Sequence, residues 1–404
     1  MSLKNTPPIG TYVVLRQTEG NNLAPRPRVR GATRGSAHAS ENATLNVEEM
    51  DPKELRNLVQ TEQPLAFARK MPMMLVKPRA HAPATAHASN GPTWGIKAVK
   101  ADVSAFDGAG VKVAVLDTGI DGDHKAFAGI TINSKNFTSE ANKDLDGHGT
   151  HCAGTIFGRN VKGTRIGVAP GVKDVLIGKV IDKDGGSSEK IMFAIQWAIQ
   201  EGANIISMSL GIDFPGYVKW LTEKKGVPVD IATSIALEDY RANVALFNAT
   251  SDQIKKQNSF GFTQPAFVIA AAGNESRLDE NDDYGVAVSP PAVSDGFLSV
   301  SAIAENGNKL TIAPFSNVGA TLCAPGVNII SAKRGTLDDL VAFDGTSMAT
   351  PHVAGVAALW IEMLTKKKQN VARLLVQKIQ QTCDLSKFAK ANERLFGLGL
   401  VQAP

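Results

Sequence analysis

Residues 111–121 read VKVAVLDTGID, a β-branched apolar run, interrupted only by Lys112, that ends on Asp117 and breaks at Thr118-Gly119. A strand that is apolar at both alternating positions belongs in a sheet covered on both faces. Runs of the same kind recur downstream as DVLIGKVI (174–181), NIISMSL (204–210), AFVIAAAG (266–273) and FLSVSAI (297–303). Helical stretches lie among them at residues 149–157, 189–201, 231–257 and 347–366. Strands alternating with helices predict an α/β fold, three layers around a mostly parallel central sheet. Functional groups in such sheets gather at the carboxyl ends of the strands, which is where Asp117 stands. No internal repeat is visible.

Upstream of residue 94 the pattern changes. TYVVLR (11–16) and MPMMLV (71–76) read as short strands, and residues 47–62 read as a helix that Asp51-Pro52 would start. Residues 18–45, rich in Gly, Asn, Pro, Arg, Ala and Ser, read as a linker, and the small polar stretch 80–93 as a second one. The chain thus divides into a small N-terminal α+β extension at residues 1–80, a linker at 81–93 and a main domain at 94–404.

Composition narrows the function classes. With 43% hydrophobic and 20% charged residues the chain is of globular type, and no stretch approaches the ~18 apolar residues of a membrane span. The opening residues lack the basic start and apolar run of a secretory signal. As it stands the sequence reads as cytoplasmic, or as secreted if a signal peptide has been removed. Cys152, Cys323 and Cys383 are odd in number and lack metal spacing, which fits reduced thiols. Residues 1–90 hold 12 Lys/Arg against 7 Asp/Glu, and the rest holds 31 against 32, so the basic excess is N-terminal. Arg26, Arg28, Arg30 and Arg34 are scattered among prolines and glycines, which reads as a solvated linker rather than a nucleic-acid surface.

Four positions carry candidate chemistry. Asp117 is either a functional carboxylate at a strand end or a cap. His148, in DGHGTHCAG (146–154), lies between two glycines that let neighbours approach its ring. It would start a helix, whose positive end lowers an imidazole pKa, so a nearby carboxylate would be needed to stabilise the imidazolium. His38, His81 and His87 fall in linkers, while His124, His151 and His352 lack the glycine setting. His151 reads as a structural neighbour, with metal ligation by the His148/His151 pair as the alternative. Ser347, in GTSMATPHVAGVAALW (345–360), would open a helix with its Oγ presented to solvent and its N–H unpaired by the helix. It is a nucleophile if a base takes its proton, and otherwise an N-cap. Asn274 lies in AAAGNES (270–276), where its amide suits an oxyanion or a left-handed turn.

In order and local sequence, VAVLDTGID, DGHGTHCAG, SMSLG, AAGNES and GTSMATPHVAG resemble the subtilisin (subtilase) family, from about Trp94 to the end. The resemblance implies a subtilisin-like three-layer fold and serine endopeptidase activity through an acyl-enzyme. It implies Asp117 orienting His148, His148 as general base and acid, Ser347 as nucleophile, and Asn274 with the Ser347 N–H as the oxyanion hole. Ser209, Leu210 and Gly211 would form one substrate-binding strand and Gly185, Gly186 and Ser187 the other, with an extended protein or peptide substrate between them. The chemistry needs no cofactor. The family's calcium loop is poorly matched by RNVKGTRIG (159–167), so no metal ligand is assigned and a structural calcium is left without ligands. The resemblance further implies an inhibitory N-terminal prosegment whose tail, MPMMLVKPRA (71–80), lies in the active site, and a monomeric enzyme. A targeting or partner-binding module is the other reading of the N-terminal part.

The chain departs from the family in several places. The stretch from 212 to 273 is long, and the insertion is expected to reshape the pocket walls or to dock a partner. Asp279, Glu280, Asp282 and Asp283 read as a solvated acidic loop, with a basic-substrate wall and a calcium loop as competitors. Ser289 aligns with a small residue at the base of the primary pocket, which suggests a medium-sized pocket. Cys152, one turn after His148, reads as a small buried apolar residue, or as a thiol through which mercurials would disturb that histidine. Other activities on the same residues are a transpeptidase or macrocyclase, a silent scaffold, and an acid peptidase of sedolisin type, the last two disfavoured by the filled positions and the full HGTH.

Overall fold

The computed structural model describes residues 10–17, 43–76, 90–260, 264–307, 309–388 and 392–404. The expected linkers fall largely outside these residues, at 18–42 and 77–89. The N-terminal elements are β1 (Gly10–Gln17), β2 (Ala43–Met50), α1 (Pro52–Thr61), β3 (Ala66–Arg69) and β4 (Pro72–Leu75). Strands β2, β1 and β3 form an antiparallel sheet in that order. The helix expected at residues 47–62 begins only at Pro52, because residues 43–50 pair along the whole of β1. The Asp51 side chain caps α1 reciprocally with Glu54, which marks the true start. Cross-strand pairing outweighs the helix propensity of Glu48, Glu49 and Met50.

The larger unit opens with β5 (Gly91–Pro92) and α2 (Trp94–Ala98), followed by β6 (Lys112–Asp117), β7 (Thr131–Asn136), α3 (His148–Phe157), β8 (Thr164–Arg165) and β9 (Asp174–Lys179). Next come β10 (Gly186–Ser187), α4 (Ser188–Gln200), β11 (Ile205–Met208), β12 (Leu210–Ile212), α5 (Phe214–Glu223), α6 (Val229–Phe260) and β13 (Phe267–Ala271). The chain continues as β14 (Leu298–Asn306), β15 (Lys309–Ile312), β16 (Leu322–Pro325), β17 (Ile329–Ala332), β18 (Leu340–Phe343), α7 (Thr346–Lys366), α8 (Val371–Gln381) and α9 (Glu393–Phe396). The central sheet runs β15-β14-β13-β11-β6-β9-β7, with β16 beside β14. Every pairing is parallel except that of the edge strand β15.

Alternation along each strand feeds two cores. Val113 and Val115 point to the layer of α3 and α7, and Ala114 and Leu116 to that of α4. That is the physical content of a run apolar at both parities: one strand supplies two faces. From β6 the chain goes to the edge at β7 and returns to β9 beside β6, then crosses to β11 on the other side and moves outward through β13 and β14. The order therefore switches direction beside β6, and a crevice opens at the carboxyl ends there. Asp117 is the last residue of β6 and Ser209 follows β11.

α3 meets β6 so closely that Gly149 has no room for a side chain. A Cβ there would lie 2.2 Å from the Gly119 carbonyl oxygen and 3.2 Å from Asp117 Cβ. Among the described residues no helix is long and apolar enough to cross a membrane. Gly149→Ala should destabilise the chain by about 1–3 kcal/mol, the usual cost of overpacking, and should push α3 off the end of β6. Thermal unfolding would show the loss; an unchanged midpoint would mean that α3 can shift freely.

Candidate active site

The residues at the crevice arrive on four elements. Asp117 ends β6, His148 starts α3, Asn274 lies three residues beyond β13, and Ser347 is the second residue of α7. His148 Nδ1 lies 2.8 Å from Asp117 Oδ1, with both side chains buried. Asp117 Oδ1 also accepts the Thr118 N–H at 2.7 Å. A carboxylate facing Nδ1 fixes the tautomer: Nδ1 carries the proton and Nε2 keeps its lone pair. His148 Nε2 is buried and has no hydrogen-bond partner among the described residues. Burial works against a charged His148, yet Asp117 together with Cys152 more than offsets it, and the imidazole is held well above its ordinary value.

The loop before His148 is fastened by Asp144, which sequence reasoning missed. Its Oδ1 accepts from Thr118 Oγ1, Asp146 N and Gly147 N, and its Oδ2 from Thr150 N and Thr150 Oγ1. One carboxylate thus caps α3 and ties it to the residue after Asp117. Its only trace in the sequence is an Asx-type spacing in DLDGHGT. Lys179 was also unforeseen. Its buried ammonium bonds the Thr118 and Lys143 carbonyls and pairs with Glu140 at 3.1 Å.

The Asn274 carboxamide is oriented by its oxygen, which accepts from Thr346 N at 2.9 Å and Thr346 Oγ1 at 3.0 Å. Its Nδ2 lies toward Gly345, where a Cβ would come within 3.1 Å. Asn317 holds the turn after β13, donating to the Ala272 carbonyl and Glu275 and accepting from the N–H groups of Glu275 and Ser276. Thr346 and Asn317 gave no signal as isolated residues in the sequence.

Ser347 differs from the expectation. Its Oγ is not presented to solvent but buried, donating to the Val76 carbonyl oxygen at 2.8 Å. The reason is β4, which runs through the crevice antiparallel to strands on both sides. Met73 and Pro72 face Gly186 and Ser187 of β10, while Leu75, Met74 and Met73 face Leu210, Gly211 and Ile212 of β12. Val76 N reaches the Ser209 carbonyl at 3.4 Å. Gly185 takes φ +92°, and a Cβ there would lie 3.1 Å from the Met73 carbonyl oxygen. At Gly211 a Cβ would crowd Ser289 Oγ at 2.9 Å and sit 3.8 Å from Val76 Cγ2. Gly211 therefore lies beside the Val76 side chain, with Ser289 Oγ close to Gly211. Ile212 is the strand residue that sequence reasoning left out.

Cys152 is buried, with Sγ 3.8 Å from His148 Nδ1 and 3.4 Å from the Ser347 carbonyl, and burial pushes its thiol up. Asp117, His148 and Cys152 are the metal-capable group that the described residues bring together. His151 does not share a ligand position with His148: its Nε2 meets the Ile329 carbonyl at 2.8 Å and its ring stacks on Phe343. Burial holds His151 neutral, down to about 3, and His352 down to about 4. The loop at 279–283 is exposed, with Glu280 paired to Arg277. The insertion carries α5 and α6, and α6 packs on β3.

Comparison with known proteins agrees with this geometry. The model of the subtilase family (Peptidase_S8) matches residues 108–399. An intracellular serine protease of Paenibacillus polymyxa is 37% identical over 62% of this chain and 67% of its own length. Subtilisin DY of Bacillus licheniformis is 33% identical over 65% of this chain and 81% of its own. The major intracellular serine protease of Bacillus subtilis is 33% identical over 75% and 86%. These relatives are named as serine proteases or as a subtilisin. The chain belongs to the subtilase family and is a serine endopeptidase.

Proposed function

We propose that the hydrolysis runs through Asp117, His148 and Ser347, and that residues 1–76 are an inhibitory prosegment seated as the first substrate. The observation that carries this is the 2.8 Å contact between Ser347 Oγ and the carbonyl oxygen of a strand held on both edges. Strand addition aligns a peptide by its backbone and leaves specificity to alternate side chains. In that register the Val76–Lys77 peptide bond is the one offered to the serine.

Ser347 Oγ attacks the carbonyl carbon while His148 Nε2 takes its proton. Asp117, on Nδ1–H, stabilises the imidazolium so formed. The oxygen gains negative charge and is met by Asn274 Nδ2 and the Ser347 N–H, which stands in a first helical turn with no helical acceptor. His148 then protonates the leaving amine, and the C–N bond breaks to leave an acyl-enzyme on Ser347. Water, deprotonated by the same Nε2, hydrolyses the ester and restores the serine. Every proton moves between named side chains, substrate and water, so the steps call on no cofactor, metal or second chain.

Purified wild-type and Ser347→Ala chains should differ completely in hydrolysis of a mixed peptide library, read by mass spectrometry. Equal activity in both would make the nucleophile assignment wrong. Asn274→Leu should lower kcat by about 10²–10³-fold, the loss established for the corresponding donor of subtilisin itself. A rise in KM alone would assign Asn274 to binding instead.

The pH profile follows from His148. Its imidazole is raised above the ordinary value by Asp117, so the neutral base is depleted at low pH and kcat/KM should climb as pH rises past 6.5. Asp117→Asn removes the carboxylate that opposes burial. The midpoint should then move to lower pH, with a rate loss near 10⁴-fold from the wrong tautomer. An unshifted midpoint in that variant would separate the titration from the Asp117–His148 pair.

A further inference from the structure

The insertion after β12 has a contact that the chemistry does not use. Asp239, on α6, is buried and receives the Tyr217 hydroxyl of α5 at 2.8 Å. Across from it stands Arg69, the last residue of β3, with Nε 3.9 Å from Asp239 Oδ1. Arg69 also donates to Tyr12 Oη at 3.1 Å and lies over that ring. Asn243, one turn after Asp239, donates to the Arg69 carbonyl at 2.9 Å. The insertion therefore grips both the side chain and the backbone of one residue in the N-terminal unit.

We propose that α5 and α6 form a recognition surface for the chain's own N-terminal unit, in which Asp239, held by Tyr217, selects Arg69. This rests on the reading of residues 1–76 as a prosegment, but adds which residues choose that partner. Apolar packing supplies area without selectivity: Val13, Leu15 and Ala68 join Ile191, Ala236 and Leu246 in one cluster. The buried carboxylate supplies the selection. Burial raises the Asp239 carboxyl from its ordinary value, while Tyr217 and Arg69 favour its ionised form. A carboxylate taken from water here is costly unless a cation faces it. An N-terminal unit without a cation at position 69 would leave that carboxylate uncompensated, so the surface rejects it as well as favouring the right one. The expected role of the insertion as a partner dock is thus filled by this chain itself.

The test uses the full chain carrying Ser347→Ala, so that nothing depends on self-cleavage. Amide hydrogen exchange is followed at residues 66–76 in that parent, in Asp239→Asn, in Arg69→Gln and in the double variant. Each single change should raise exchange there about 10–100-fold, with the double no worse than the poorer single, as expected of a close charge pair. Protection in α3 and α7 should be unchanged, which shows that the main fold is intact. Unchanged exchange at 66–76, or fully additive effects, would overturn the clamp. In the Ser347-bearing chain, Asp239→Asn should shorten the lag before peptide hydrolysis. A wild-type chain that cleaves peptides normally while its lag ignores Asp239 would sink the clamp and leave the proposed catalysis standing.

Discussion

The buried hydrogen bond between Asp117 and His148 is the constraint on which the rest of the structure depends. A carboxylate and an imidazole are held out of water together, and removing one partner of a buried ion pair commonly costs about 3–5 kcal/mol. The fold accepts that exposure to loss only by fixing both ends. β6 runs through the middle of the sheet and delivers Asp117 at the switch point. Asp144 satisfies five donors at once to bring α3 against it, and Lys179 bonds the backbone on either side. Gly149 is the space left over by that fit. The pair is rigid because its supports are hydrogen-bonded, not because it is tightly bound itself.

The second constraint is the strand that fills the crevice. β4 completes hydrogen bonding for the edges of β10 and β12, which would otherwise present unpaired backbone groups. The same strand brings the Val76 carbonyl to Ser347 Oγ, so in the proposed reading inhibition and substrate presentation would be one geometry. Chain economy links this to the insertion. β12 leads within two residues into α5, and α6 then reaches β3 just upstream of β4. One continuous stretch of sequence therefore borders the peptide strand and grips the unit that carries it.

Most of the main fold was legible because apolar runs at both parities have few other uses. The strands starting near 111, 174, 204, 266 and 297 stand within a residue or two of their expected places. The four candidate residues stood out in local motifs, and in the structure His148 Nδ1 lies 2.8 Å from Asp117 Oδ1. What sequence could not show is long-range satisfaction. Asp144, Lys179, Asn317 and Thr346 are ordinary polar residues until the fold brings backbone donors and acceptors to them. Residues 43–50 were misread for a related reason: their strand exists only because β1 lies alongside. Ser347 read by its local motif alone is an open helix start; the residue that covers it, Val76, belongs to the 71–80 segment that the resemblance places in the active site.

The most direct measurement is the N-terminus of the purified chain, read by mass spectrometry with and without Ser347→Ala. A new N-terminus at Lys77 is expected in the wild-type protein, and an uncut 76–77 bond in the variant. Cleavage at 76–77 in both proteins, or wild-type hydrolysis of peptides with that bond intact, would contradict the assignment of β4 as the first substrate of Ser347.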